Sequence, residues 1–159
     1  MPDPALPLLR HAVAALSYRA ARACENAPPN FAEVRASEST RTAGAILCHM
    51  GDLFDWAAKL ALGKHEWKPA EPLPWEREVN RFFTTLGRFD AILAEGQLAC
   101  SAEKLLQGPI SDALTHVGQL AMLRRLAGSP MIGESYFGAD ISVGHITPQL
   151  PAPAAPFKK

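Results

Sequence analysis

The chain has 159 residues and is 48% hydrophobic, which is enough for one domain with a packed core. Its 16 acidic and 16 basic residues cancel, so no overall field favours nucleic acid or an anionic membrane as a partner. No apolar run approaches the roughly 20 residues of a membrane-spanning helix, and the acid and prolines near the N-terminus are unlike a secretory signal.

Four segments carry apolar residues at helical spacing, and each spacing places one stripe on one helix face. The stripes lie at 9–23, 46–60, 79–93 and 112–126. Proline-rich stretches separate the first three segments. Proline is favoured at the first helical position, so Gly108 and Pro109 are predicted to begin the fourth helix.

These segments predict an all-α fold, a four-helix bundle in which the connection between the first two helices is long enough to be a crossover or an ordered arm. We expect the bundle to occupy residues 1–130. From about residue 131 the chain loses helical periodicity and becomes rich in proline and alanine. We therefore expect residues 131–159 to form an irregular C-terminal extension, packed on the bundle or between subunits.

The three cysteines, Cys24, Cys48 and Cys100, lie far apart and form no CxxC motif. A zinc ribbon or a redox pair is therefore unsupported. An odd, sparse set of cysteines favours reduced thiols and a cytoplasmic location. Cys48 lies about 100° around the helix from His49, and we expect it to be a buried structural thiol.

Two of the apolar stripes contain polar residues suited to metal binding. Asp112 and His116 are four residues apart, so their side chains share one face of the fourth helix. His49 lies in the stripe of the second helix. If these two helices pack with the three residues level, two imidazoles and one carboxylate suit zinc, nickel or iron(II) and leave positions for a substrate.

A structural role for the same residues is the alternative. Asp112 could be stabilised by the helix dipole and bond to His116, and His49 could be a core histidine bonded to a carbonyl. Convergence of all three favours the metal, because a buried polar group without a partner costs on the order of a few kcal/mol. His11 is expected to be exposed, His65 lies in a loop, and His145 lies in the extension. No ExxH pair, HExxH, GxSxG or phosphate-binding loop occurs.

Three stretches together resemble the DinB superfamily of damage-inducible-type proteins. They are "CHMGDLFDWA" at 48–57, "DALTHVGQLAMLRRLAGSP" at 112–130 and "GESYFGADI" at 133–141. The resemblance runs from the second helix into the extension. The H-x-G-Q segment from His116 to Gln119 is its most specific part, and the first helix matches only in pattern.

The resemblance implies a four-helix bundle of DinB-like type, a homodimer and a divalent metal. Family members bind the metal through a histidine on helix two, matched here by His49, and through an HxxxH pair on helix four. His116 matches the second histidine of that pair, and Asp112 replaces the first. Gln119, one turn below His116, is a candidate cofactor-binding or supporting residue.

Some members of the superfamily are metal-dependent thiol S-transferases. The leading hypothesis is therefore a metal-dependent transferase that uses a low-molecular-weight thiol and a small-molecule substrate. One alternative is a non-enzymatic stress or detoxification dimer that binds a small molecule and has a degenerate metal site. Another is a structural dimer in which Asp112 and His116 hold helix ends together. Whether the protein is an enzyme stays open at this point.

Overall fold

The structure is a computed structural model that describes residues 3–158, and it is all-helical, as predicted. Its helices are α1 (Leu6–Cys24), α2 (Ala43–Ala61), α3 (Trp75–Glu95), a short α4 (Ala102–Leu105) and α5 (Ser111–Leu126). The four long helices coincide with the four predicted stripes. Within residues 3–158 the chain forms no β-strand, and no helix there is both long and apolar enough to cross a bilayer.

Each long helix packs against two others, which is compatible with a four-helix bundle. Helix α1 contacts α3 and α5, and α2 contacts the same two helices. The four helices therefore follow one another around the core in the order α1, α3, α2, α5. Large side chains from each of them fill this core, among them Leu16, Phe54, Phe82, Phe89 and Leu120. The order makes α2 and α5 neighbours, and these helices carry the candidate metal ligands.

The prediction that Gly108 and Pro109 begin the last long helix is wrong. Helical backbone begins at α4 and continues into α5 through a five-residue π-helical segment, Leu106–Ile110, which contains Pro109. Proline has no N–H and removes one hydrogen bond of the α-helical register. The π register shifts each hydrogen bond by one residue, and the hydroxyl of Ser111 also donates to the Leu106 carbonyl at 2.6 Å.

An arginine on α3 fixes the part of α2 that carries His49. Arg81 donates to the Cys48 carbonyl at 3.1 Å and forms ion pairs with Asp52 and Glu78. A Cβ atom at Gly51 would lie 2.8 Å from the Arg81 guanidinium, so the glycine leaves room for the arginine to lie across α2. The ion pair between Arg81 and Asp52 thus complements the apolar packing of α2 on α3.

A buried arginine joins the C-terminal ends of α1 and α5. Arg124 is 4% exposed and donates to the carbonyls of Ala23 at 3.0 Å, Glu25 at 2.7 Å and Ser129 at 2.8 Å. These carbonyls lie at and beyond the last turns of the two helices, where backbone acceptors lack helical partners. Burial lowers the pKa of Arg124, and the neighbouring Cys24 and Glu25 oppose this.

The residues after α5 contain one 3-10 turn, Tyr136–Gly138, and an isolated bridge between Glu134 and Pro156. Glu134 anchors this segment to α1. Its carboxylate accepts hydrogen bonds from the Tyr18 hydroxyl at 2.7 Å and from Arg22 Nε at 3.0 Å. The predicted domain ranges include residues 1, 2 and 159, which lie outside the described residues, and the predicted location between subunits stays a prediction.

Replacing Glu134 with Gln should destabilise the fold. The Glu134 side chain is fully buried and Arg22 is 3% exposed, so the neutral variant leaves a buried cation with fewer partners. We expect a loss of about 2–4 kcal/mol in the free energy of unfolding, measured by urea denaturation. The matched change Glu25→Gln affects a more exposed partner of the same arginine and should cost less than about 1 kcal/mol. Equal losses for the two variants would contradict this account.

Candidate metal centre

The packing of α2 against α5 brings His49, Asp112 and His116 together. One potential ligand atom from each residue lies within 4.8 Å of the other two. The Nε2 atom of His49 is 3.3 Å from Oδ2 of Asp112, and Nε2 of His116 is 3.4 Å from Oδ1 of the same carboxylate. One carboxylate is therefore shared by two imidazoles, and the group forms a possible metal site.

The two imidazoles are more shielded from solvent than the carboxylate between them. The side chains of His116 and His49 are 11% and 21% exposed, whereas that of Asp112 is 46% exposed. The two rings lie 4.9 Å apart and nearly perpendicular, at 88°. The group is thus held by helix packing on its histidine side and is accessible on its carboxylate side.

The spacing of these donor atoms fits a small divalent ion. Zinc binds imidazole nitrogen and carboxylate oxygen at about 2.0–2.2 Å, so donors in a tetrahedral site lie roughly 3.3–3.6 Å apart. The two nitrogen-to-oxygen distances of 3.3 and 3.4 Å are each of that size, although they end on different oxygens of Asp112. All three ligand atoms lie within 4.8 Å of one another. Two nitrogens and one carboxylate also leave at least one coordination position for another ligand.

Gln119 sets the orientation of the His116 ring. Its side-chain oxygen lies 2.7 Å from Nδ1 of His116. In this orientation Nδ1 donates the hydrogen bond, and in the neutral imidazole Nε2 then presents a lone pair toward Asp112. A lone pair and a carboxylate 3.4 Å apart repel each other unless a proton or a metal ion lies between them, and a metal ion would bind both. Direct contact of Gln119 with a cofactor stays a prediction.

The surroundings of His49 favour its neutral form, which is the form that binds metal. Burial lowers the pKa of His49, the hydrogen bond with Asp112 opposes this shift, and the charge of Arg41 adds to the lowering. The ring also packs against the indole of Trp67, with their centroids 5.7 Å apart. Trp67 lies in the loop between α2 and α3, which Asp52 holds by accepting a hydrogen bond from the Ala70 amide at 3.2 Å.

The continuous helix before α5 weakens the structural explanation of Asp112. The helix dipole favours an acidic residue only within the first turn of a helix. Asp112 follows a helical backbone that already begins at Ala102, and residue 110, which precedes α5, has α-helical backbone angles. Its position is therefore better explained by the two histidines beside it than by a free helix N-terminus.

A cavity of about 340 Å³ borders the candidate site at His116. His116 and Gln119 form part of its wall. The remaining lining residues come from the segment before α2, from α2 itself and from the last turns of α5: Ala36, Thr40, Arg41, Ile46, Met122 and Leu123. The contribution of Ala36, Thr40 and Arg41 could not be predicted from the sequence, because no local pattern shows which helix a connecting segment lies against.

The other histidines and the cysteines do not join this group. His11, His65 and His145 are exposed and are not part of the donor cluster. Cys48 is buried, as predicted, and its thiol donates to the Ala70 carbonyl at 3.4 Å. Burial raises the pKa of Cys48 to about 11 and that of Cys24 to about 12.

Comparison with known proteins adds no further constraint on the site. No protein-family model, curated protein or solved structure matches the chain. The geometry of His49, Asp112 and His116 is therefore the basis on which a function is proposed.

Proposed function

We propose that the protein binds one divalent metal ion through His49, Asp112 and His116. We further propose that it is a DinB-like, metal-dependent transferase that joins a low-molecular-weight thiol to a small electrophile. One observation carries this proposal: three side chains of metal-ligand type from two helices converge, and one of them, His116, lines a cavity of about 340 Å³. A purely structural site is normally closed by four protein ligands, whereas a site with three ligands has room for a substrate.

The residues of the chain have separate roles in this mechanism. His49, Asp112 and His116 would hold the ion, and the bound ion would lower the pKa of a thiol that coordinates it. Gln119 fixes the ring of His116 through its hydrogen bond. The apolar side chains of Ile46, Met122 and Leu123 line the cavity and limit access of water to a bound ligand.

An external thiol is favoured because no cysteine of the protein is placed to react. Cys24 and Cys48 are 5% and 3% exposed, and neither lines the cavity beside the candidate ligands. Cys100 is partly exposed but lies near the end of α3, where it lines a different surface depression. The nucleophile would therefore be supplied by the second substrate.

A metal-free binding function is the second candidate. The substantial exposure of Asp112 favours this function, since an exposed carboxylate whose geometry is not fixed adds little to the affinity for a metal ion. In this case the cavity would bind a small molecule, and the two histidines would share a proton with Asp112. A homodimer and a cytoplasmic location remain expectations from the resemblance and from the sparse cysteines.

Metal content separates the two candidates. Protein purified without a histidine tag should contain about one zinc, nickel or iron per chain, because three donors converge on one position. Both His49→Ala and His116→Ala should abolish stoichiometric binding, since two protein ligands hold such ions weakly. Elemental analysis after desalting measures the content directly.

His11→Ala is the matched control for this experiment, because His11 is exposed on α1 and lies outside the donor cluster. It should retain the metal content of the parent. Metal in all four proteins, or in none of them after reconstitution, would contradict the three-ligand site. A structural role for Asp112 and His116 would be favoured by two results together. The parent would have equal thermal stability with and without chelator, and both site variants would be less stable than the parent.

Alkylation tests the absence of a protein nucleophile. Iodoacetamide at pH 8 should label Cys100 first and leave Cys24 and Cys48 unmodified in the folded protein, because burial blocks access to both. Burial also raises the pKa of Cys24 to about 12, so its thiolate is scarce at this pH. Peptide mass spectrometry over a time course gives the order of labelling. Rapid modification of Cys48 before unfolding would count against an external thiol.

A further inference from the structure

We propose that Arg41 binds the anionic group of the cavity ligand, so that the cavity selects small molecules with an apolar body and one carboxylate-like anion. This inference names the ligand class and rests on the proposed function only for the role of the metal. It depends on the residues that line the cavity and on the partners of Arg41.

The lining of the cavity favours an anion over a cation. None of the lining residues is acidic, so a cationic ligand would meet no counter-charge on the cavity wall. Arg41 supplies a permanent positive charge there. Ile46, Met122 and Leu123 make the rest of the wall apolar, which suits a hydrocarbon or aromatic body. A molecule with an apolar body and a single anionic group matches both features.

The guanidinium of Arg41 is available for a ligand. Within residues 3–158 it forms no ion pair and no side-chain hydrogen bond, whereas Arg10, Arg22, Arg81 and Arg88 each pair with a carboxylate. A planar guanidinium binds a carboxylate through two parallel hydrogen bonds, which gives orientation as well as affinity.

The other polar groups of the cavity are largely engaged. The hydroxyl of Thr40 donates to the Ser37 carbonyl at 3.0 Å and accepts from the Ser37 amide at 3.0 Å. The side-chain oxygen of Gln119 accepts from His116. Arg41 is therefore the group of the lining with the most unused hydrogen-bonding capacity.

The backbone next to Arg41 is held in place, so its position at the cavity is defined. Thr42 caps α2 by accepting a hydrogen bond from the Ala45 amide at 3.2 Å. The Ala43 amide donates to the Val34 carbonyl at 2.8 Å, which ties the start of α2 to the segment that contains the 3-10 turn Phe31–Glu33. The side chain of Arg41 thus extends from an ordered turn.

The test compares two probes of nearly equal shape, 4-phenylbutyrate and 4-phenylbutanamide, by isothermal titration calorimetry. Full-length protein freed of metal by chelator is used, so the result does not depend on the metal site. We expect the carboxylate to bind about tenfold more tightly than the amide in the parent, the gain of one charge-assisted interaction. Arg41→Gln should remove this preference, and Arg41→Lys should retain part of it.

Arg35→Gln is the matched control, because Arg35 lies in the same segment, is exposed and does not line the cavity. It removes an equal charge and should leave the preference unchanged. Equal affinity for the two probes in the parent, failure of both to bind, or a preference that survives Arg41→Gln would each overturn the proposal. Arg41→Gln should also keep the parent's metal content, so a loss of metal would be recognised separately.

Discussion

The carboxylate of Asp112, shared between the imidazoles of His49 and His116, is the interaction on which the candidate site depends. The four-residue spacing on α5 places Asp112 and His116 on one helix face, and the contact of α5 with α2 brings His49 to the same carboxylate. Each imidazole can either donate an N–H to this carboxylate or share a metal ion with it, and the hydrogen bond from His116 Nδ1 to Gln119 favours the second arrangement for His116. Helix packing therefore determines the chemistry available to the site.

Much of this arrangement could be predicted because it follows from local periodicity. The helical stripes gave the four long helices, and the spacing of Asp112 and His116 placed both on one face. The contact of His49 with these two residues depends on which helices are neighbours. A four-helix bundle allows only a few arrangements of neighbouring helices. The predicted start of the last helix was wrong, because a π-helical segment accommodates Pro109 inside a longer helix. No local signal distinguishes a proline in such a segment from a proline at the first helical position.

Contacts between distant parts of the chain could not be predicted from the sequence. Arg124 is buried and donates to carbonyls at the C-terminal end of α1, about 100 residues away in the chain. Arg41 showed no pattern of its own, since its position at the cavity depends on how the segment before α2 folds back. In both cases the surroundings of the arginine side chain come from distant parts of the chain. Helical periodicity carries no information about such long-range contacts.

X-ray absorption at the zinc edge, on zinc-loaded protein without added thiol, shows whether His49, Asp112 and His116 bind the metal. We expect nitrogen and oxygen donors at about 2.0–2.2 Å, with the outer-shell scattering of two imidazole rings. Replacing His116 with Ala should remove the contribution of one ring. A sulfur donor near 2.3 Å, or a spectrum without imidazole scattering, would contradict a site built from His49, Asp112 and His116.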